Sequence, residues 1–224
     1  MAASTHLKDL KAVWRDACHT MWAELLSVRC TVAYIHEHYS EFTPSVALSS
    51  RVYAPESRGR LDDVTPDVFL ERAPLYQTSI VTSRVVLLSA AFELYFGYFL
   101  DTYLEARPKY WDAGTVGFTT EGNRVLGEVR KLRGIVQRIE KFGELTTAKL
   151  NASKLFLPAL KDVTVLRNVI AHRAGHVDDL ASGSVSTITL TANTRVALSP
   201  NELINLADPI IKLADELDRK IARD

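Results

Sequence analysis

Apolar residues at Leu7, Leu10, Trp14, Ala17, Met21, Leu25, Val28, Val32, Ile35 and Tyr39 recur in steps of three and four from the start of the chain. That spacing predicts one long amphipathic helix with a near-heptad stripe. A stripe of this length needs a partner of similar length to cover it, which points to a helical bundle. The chain has 224 residues, 47% hydrophobic and 24% charged, so it can build a substantial core and is not disordered throughout.

A second long helix is expected over 74–107, with Pro74 in its first turn and Pro108 closing it. Its core face is read as Ile80, Leu87, Phe92, Tyr95, Phe96 and Phe99. Between the two helices, 40–73 carries Pro44, Pro55, Pro66 and Gly59 and is read as an irregular connection, with a short helix over 65–72. A glycine-containing loop over 109–120 leads to a basic third helix over 121–142, and a fourth helix is expected over 152–173.

The β-forming residues of 184–190 and 194–198 suggest a small hairpin. Ser199-Pro200-Asn201-Glu202 is a capping box that opens a last helix with its stripe at Leu203, Leu206, Ile210, Leu213, Leu217 and Ile221. The expected fold is therefore all-α, a bundle of about five helices, two of them long, with a small hairpin before the C-terminal helix. The chain is read as a single domain, with 1–73 as an extension and 74–224 as its centre.

Lys plus Arg and Asp plus Glu both number 27. That balance excludes a protein that coats nucleic acid by bulk charge and leaves room for a local basic site. Cys18 and Cys30 lie twelve residues apart in one predicted helix, too far to bridge each other. Two free thiols suggest a reducing compartment, so a cytoplasmic location is expected. Residues 1–10 carry charge and lack an apolar run, so no secretory leader is read there. The most apolar stretch, 85–100, contains Glu93 and is short for a membrane span. A core helix is expected there, with no membrane contact.

The chemistry concentrates at the end of the fourth helix, in Leu166-Arg167-Asn168-Val169-Ile170-Ala171-His172-Arg173. Asn168 and His172 are four apart and share a face, and the long Arg167 side chain can reach it. These residue types suit phosphodiester cleavage in RNA, which carries its own 2′-hydroxyl nucleophile. Histidine can take or give the proton, arginine matches phosphate oxygens with a fixed fork of donors, and asparagine can orient either. No metal or other cofactor is needed. One histidine per chain is short of an acid and a base together, and a symmetric dimer would supply both. The competing explanation is structural: Arg and His are favoured at a helix C-terminus by its dipole.

The same stretch resembles the Arg-x4-6-His signature of the HEPN superfamily, including its common polar residue directly after the arginine. Ser89-Ala90-Ala91-Phe92-Glu93-Leu94-Tyr95-Phe96 is similar to the "Phe-Glu" helix of HEPN families grouped with ribonuclease-L-like and defence-associated proteins. A hairpin followed by a closing helix also fits, and the resemblance runs from about Pro74 to the end. It implies a helical domain that pairs with a second copy and acts as a metal-independent endoribonuclease, often a toxin or an effector of anti-phage and stress systems. It also implies that Arg167, Asn168 and His172 are the catalytic positions, and that an antitoxin or defence-system protein is a possible partner. Glu93 is expected either to hold Arg167 by a charge-assisted bond or simply to support helix packing. Some members of the superfamily have lost activity and only bind nucleotides or partner proteins.

Other features are weaker. Arg173 and His176, just beyond the motif, could touch phosphate, although Gly175 between them suits ordinary helix-end chemistry. His172 and His176 have the spacing of metal ligands on a helix, which Gly175 spoils. Arg124, Arg130, Lys131, Arg133, Arg138 and Lys141 are read as a solvated face before an RNA track, because Glu121, Glu128 and Glu140 dilute them. His36-Glu37-His38 is the polar end of the first helix.

Overall fold

A computed structural model describes residues 3–41, 48, 64–148, 150 and 153–221. Among the described residues the chain is all-α, with seven α-helices and one two-stranded antiparallel hairpin ahead of the C-terminal helix. The order is α1 (Thr5–Glu37), α2 (Pro66–Glu105), β1 (Trp111–Asp112), β2 (Gly117–Phe118), α3 (Thr120–Arg130), α4 (Ile135–Leu145), α5 (Leu157–His172), α6 (Asp179–Ser184) and α7 (Pro200–Ile221). The expected connection over 40–73 lies largely outside the described residues, as does the expected start of the fourth helix at Ala152.

The chain divides into two compact units, one of residues 1–17 and 82–224 and the other of residues 18–81. The expected extension over 1–73 is therefore not a unit in itself. Its first turns belong with the larger unit because they are tied to α7: the Ser4 backbone N–H donates to Asp218 Oδ2 at 2.9 Å, and Lys11 Nζ lies 2.6 Å from Asp215 Oδ1.

In the larger unit, an aromatic cluster forms the centre. Phe142 of α4 meets Phe96, Phe99 and Tyr103 of α2 edge-on, with ring centroids 6.3, 5.3 and 4.8 Å away. The buried Tyr95 hydroxyl donates to the Ala214 carbonyl of α7 at 2.8 Å, and burial raises its pKa. Arg107 caps two helix ends at once, donating to the Tyr103 and Lys220 carbonyls at 2.8 Å each. On α2, Phe92, Tyr95, Phe96 and Phe99 are buried as expected, but Leu87 is 40% exposed and Ile80 only half-buried. The helix is long and apolar enough to cross a membrane by length and composition alone.

In the smaller unit, Met21, Leu25 and Ile35 of α1 are buried, while Val28 and Val32 are half-buried. Tyr39 donates to Asp67 Oδ1 at 2.5 Å. Here α2 begins at Pro66 and runs through Pro74, merging the expected short helix with the long one. Phe69 and Tyr76 flank Pro74 with ring centroids 5.4 Å apart, and Ala73 is buried. The helix continues across a residue that disfavours a helix interior.

Three other expectations differ in detail. The basic third helix is two helices, α3 and α4, because the chain turns over 131–134, where Arg138 Nε donates to the Leu132 carbonyl at 2.7 Å. The fourth helix starts at Leu157, with Pro158 in its first turn. The hairpin lies at 111–118, where a loop was expected, paired as Trp111↔Phe118 and Asp112↔Gly117. The Gly114 N–H and Thr115 hydroxyl donate to Asp112 and lower its pKa. Gly122 lets α3 pass close by: a Cβ there would sit 2.2 Å from the Tyr110 carbonyl oxygen. The segments 184–190 and 194–198 do not pair with each other as a hairpin; the N–H groups of Ser186 and Thr187 donate to the Asp162 carboxylate instead.

Candidate functional site

Helix α5 carries its buried face on Ala159, Leu160, Asp162, Val163, Leu166 and Val169. It packs against α7, α4 and α6, and this fixes its rotation. Asn168 and His172 fall on the opposite, solvent side, with Arg167 half-buried at its margin. Arg167 Nη1 donates to Asn168 Oδ1 at 3.1 Å. His172 stands exposed on the last turn, with no hydrogen bond or ion pair to another described residue.

The helix is closed behind His172 by a tight turn. The N–H groups of Arg173 and Gly175 both donate to the Val169 carbonyl, at 3.1 and 3.0 Å. Ala174 and Gly175 take positive φ of 49° and 81° to make this turn. Arg173 pairs with Asp178, whose other oxygen caps α6 by accepting the Ala181 N–H at 2.8 Å. His176 forms an antiparallel bridge with Arg195.

The motif residues Arg167, Asn168 and His172 thus share one helix end, and the other three expected residues take separate roles. Arg173 is engaged by Asp178. His176 lies opposite Arg195 through the backbone bridge, and its side chain is exposed. Glu93 does not hold Arg167: it is half-buried on α2 and accepts a long bond from Ser89 Oγ at 3.4 Å, one turn earlier. Arg167 donates to Asn168 instead.

The basic residues of α3 and α4 are largely neutralised. Arg124 makes two 2.8 Å bonds to Glu121, Arg130 reaches Asp101 at 2.6 Å, and Lys131 and Lys141 pair with Glu128 and Glu144. The Arg124 bond lowers the pKa of Glu121 and raises that of Arg124. This is a solvated face rather than an open cationic track. At the end of α1, His38 bonds Glu41 at 2.9 Å, which raises its pKa.

No group of three or more His, Cys, Asp and Glu side chains able to hold a metal occurs among the described residues. An open groove of about 750 Å³ runs beside α4, lined by Ile139, Gly143, Leu150 and Leu157 among others. It shares no residue with the motif. It reaches only the first residue of α5, and at 1.5 Å per residue the two ends of that helix are roughly 20 Å apart.

Two residues that shape the site do not stand out in the motif reading. Asp162, fully buried on α5, accepts the Ser186 N–H at 2.9 Å and the Thr187 hydroxyl at 2.7 Å, holding the following segment to the helix. Its signal in the sequence is an acid at the i, i+4, i+7 spacing of Leu166 and Val169, on what is otherwise an apolar stripe. Arg195 carries no such signal. No protein-family model, curated protein or solved structure matches the chain.

Proposed function

We propose that this chain is a metal-independent endoribonuclease of HEPN type, working as a homodimer in the cytoplasm, as a toxin or as an effector of anti-phage or stress defence. The observation that carries this reading is the pairing of Arg167 with Asn168 at 3.1 Å, beside an uncommitted, exposed His172 on the same helix end. A purely structural pair at a helix terminus would be expected to cap carbonyls. Here Arg167 donates to the Asn168 side-chain oxygen instead, and His172 makes no bond to a described residue.

The reaction uses the nucleophile already present in RNA. One His172 imidazole takes the 2′-hydroxyl proton, and the 2′-oxygen bonds to phosphorus. The P–O5′ bond breaks, and the protonated His172 of the second copy gives its proton to the leaving 5′-oxygen. The products are a 2′,3′-cyclic phosphate and a 5′-hydroxyl. Arg167 faces the charge that builds on the non-bridging oxygens, and Asn168 holds its guanidinium.

RNA cleavage in EDTA tests the reading, with wild type compared against His172→Ala. Cleavage of RNA but not DNA, lost in the variant, supports it. Equal background in both proteins overturns it in favour of a non-catalytic HEPN module that binds nucleotides or a partner protein.

A further inference from the structure

We infer that Arg195 and His176 form a second phosphate-holding pair, which extends the Arg167–His172 site along an RNA strand. The inference rests on the nuclease reading for the identity of the strand. Its basis is the bridge that closes the turn after α5. The Val177 N–H donates to the Thr194 carbonyl at 2.9 Å, and the Val196 N–H donates to the Gly175 carbonyl at 2.8 Å. These two bonds flank His176 and Arg195 rather than joining them, so the two residues are a non-hydrogen-bonded pair, the class whose side chains approach most closely.

Alternation along the two segments sets their direction. Val177 and Val196 are 3% and 4% exposed and anchor the bridge inward, which turns their neighbours His176 and Arg195 to solvent. Neither side chain forms an ion pair or hydrogen bond with a described residue. Asp178, the nearest acid along the chain, is already occupied by Arg173 and by the N-terminus of α6. Two extended donors therefore sit side by side without an anion, four residues from His172. Asp162 and the bridge fix this segment at two points, so Arg195 is presented from held backbone.

A helix C-terminus repels phosphate through its dipole. A strand crossing the end of α5 therefore needs cations beyond Arg167 to hold it. Four residues of chain span at most about 14 Å, and the closed turn shortens this. That places the pair within reach of a phosphate neighbouring the scissile one. The substrate class is accordingly an RNA strand of several nucleotides rather than a dinucleotide.

The test uses a short fluorescent RNA with every 2′-hydroxyl methylated, which the proposed chemistry cannot cut. Binding by anisotropy across a salt series is compared for wild type, His172→Ala, His176→Ala, Arg195→Ala and Arg195→Lys, with thermal melts to check folding. Arg195→Ala is expected to weaken binding and to lower the slope of log K against log salt by about 0.7, one single-strand phosphate contact. Arg195→Lys keeps the slope. On cleavable RNA, Arg195→Ala raises KM for a strand, leaves kcat unchanged, and does not alter cleavage of a dinucleotide. An unchanged slope in Arg195→Ala, or no RNA binding by the wild type, overturns the inference even if His172-dependent cleavage is found. An Arg195-dependent slope without cleavage by any variant upholds it while the nuclease reading fails.

Discussion

Arg167 and Asn168, adjacent in sequence, are joined through their side chains: Nη1 of the arginine donates to Oδ1 of the asparagine at 3.1 Å on the solvent side of α5. The bond restricts a long, mobile cation that would otherwise sample many rotamers. Asn168→Ala releases it. The loss of one such bond, about 0.5–1.5 kcal/mol, corresponds to roughly a two- to tenfold fall in kcat/KM on RNA. Because Asn168 is exposed, the melting temperature should hardly move. A variant as fast as wild type would remove Asn168 from the site.

Asp162 is the residue on which the segment over 185–198 depends. Its carboxylate is fully buried and accepts from the backbone of Ser186 and Thr187 and from the Thr187 hydroxyl. Asp162→Ala strands those donors and opens a space in the α5 packing, at a cost of about 2–4 kcal/mol in urea denaturation. Asp162→Asn keeps an acceptor oxygen and should cost less. Equal effects of the two changes would argue against the hydrogen-bond account.

The turn after His172 contains two residues with positive φ, of which only one is glycine. A Cβ added at Gly175 meets nothing within 4 Å, so Gly175→Ala tests backbone strain alone and should cost about 1–2 kcal/mol. Ala174 already bears comparable strain at φ 49°. Ala174→Gly relieves it, against a loss of about 0.4–1 kcal/mol from the freer unfolded chain, so a small net gain in stability is expected. Thermal melts of the two variants should shift in opposite directions.

The start of α7 gives a pH signature. The Ser199 N–H and hydroxyl both donate to Glu202 Oε2 at 2.7 Å, and the backbone bond first, then the hydroxyl, lowers the Glu202 pKa below 4.5. A folded-state pKa below the unfolded one adds stability that is present above about pH 4.5 and lost as pH falls through the lower value. The stability difference between wild type and Glu202→Gln should therefore be constant near neutrality and shrink in acid. Ser199→Ala removes the cap and should cost about 1 kcal/mol at neutral pH. A Glu202→Gln difference that does not change with acid would contradict the cap geometry.

Regular spacing and strong caps made much of the fold legible. The stripe from Leu7 to Ile35 and the Ser199-Pro200-Asn201-Glu202 box each describe helices whose signals are local, and α1 and α7 form where those signals lie. Elsewhere the structure departs from the local signal. Pro74 sits inside α2 rather than in its first turn, with Ala73 before it buried. The β-forming residues of 184–190 do not pair with 194–198, and a buried acid takes the N–H groups of Ser186 and Thr187. The tight ribbon at 111–118 formed instead, with the Trp111 and Phe118 rings 5.0 Å apart.

The candidate site divides along the same line. By itself the sequence determined that Asn168 and His172 share one helix face, with Arg167 close enough to reach it, because residues four apart on a helix must be neighbours. Only the tertiary structure decided which way that face points, since the packing of α5 on α4, α6 and α7 sets its rotation. Only tertiary contacts decided that Arg195 lies opposite His176 across nineteen positions of sequence. Pairings over such separations depend on the path of the backbone and on which donors remain unsatisfied, and neither is written in the spacing of residues along the chain.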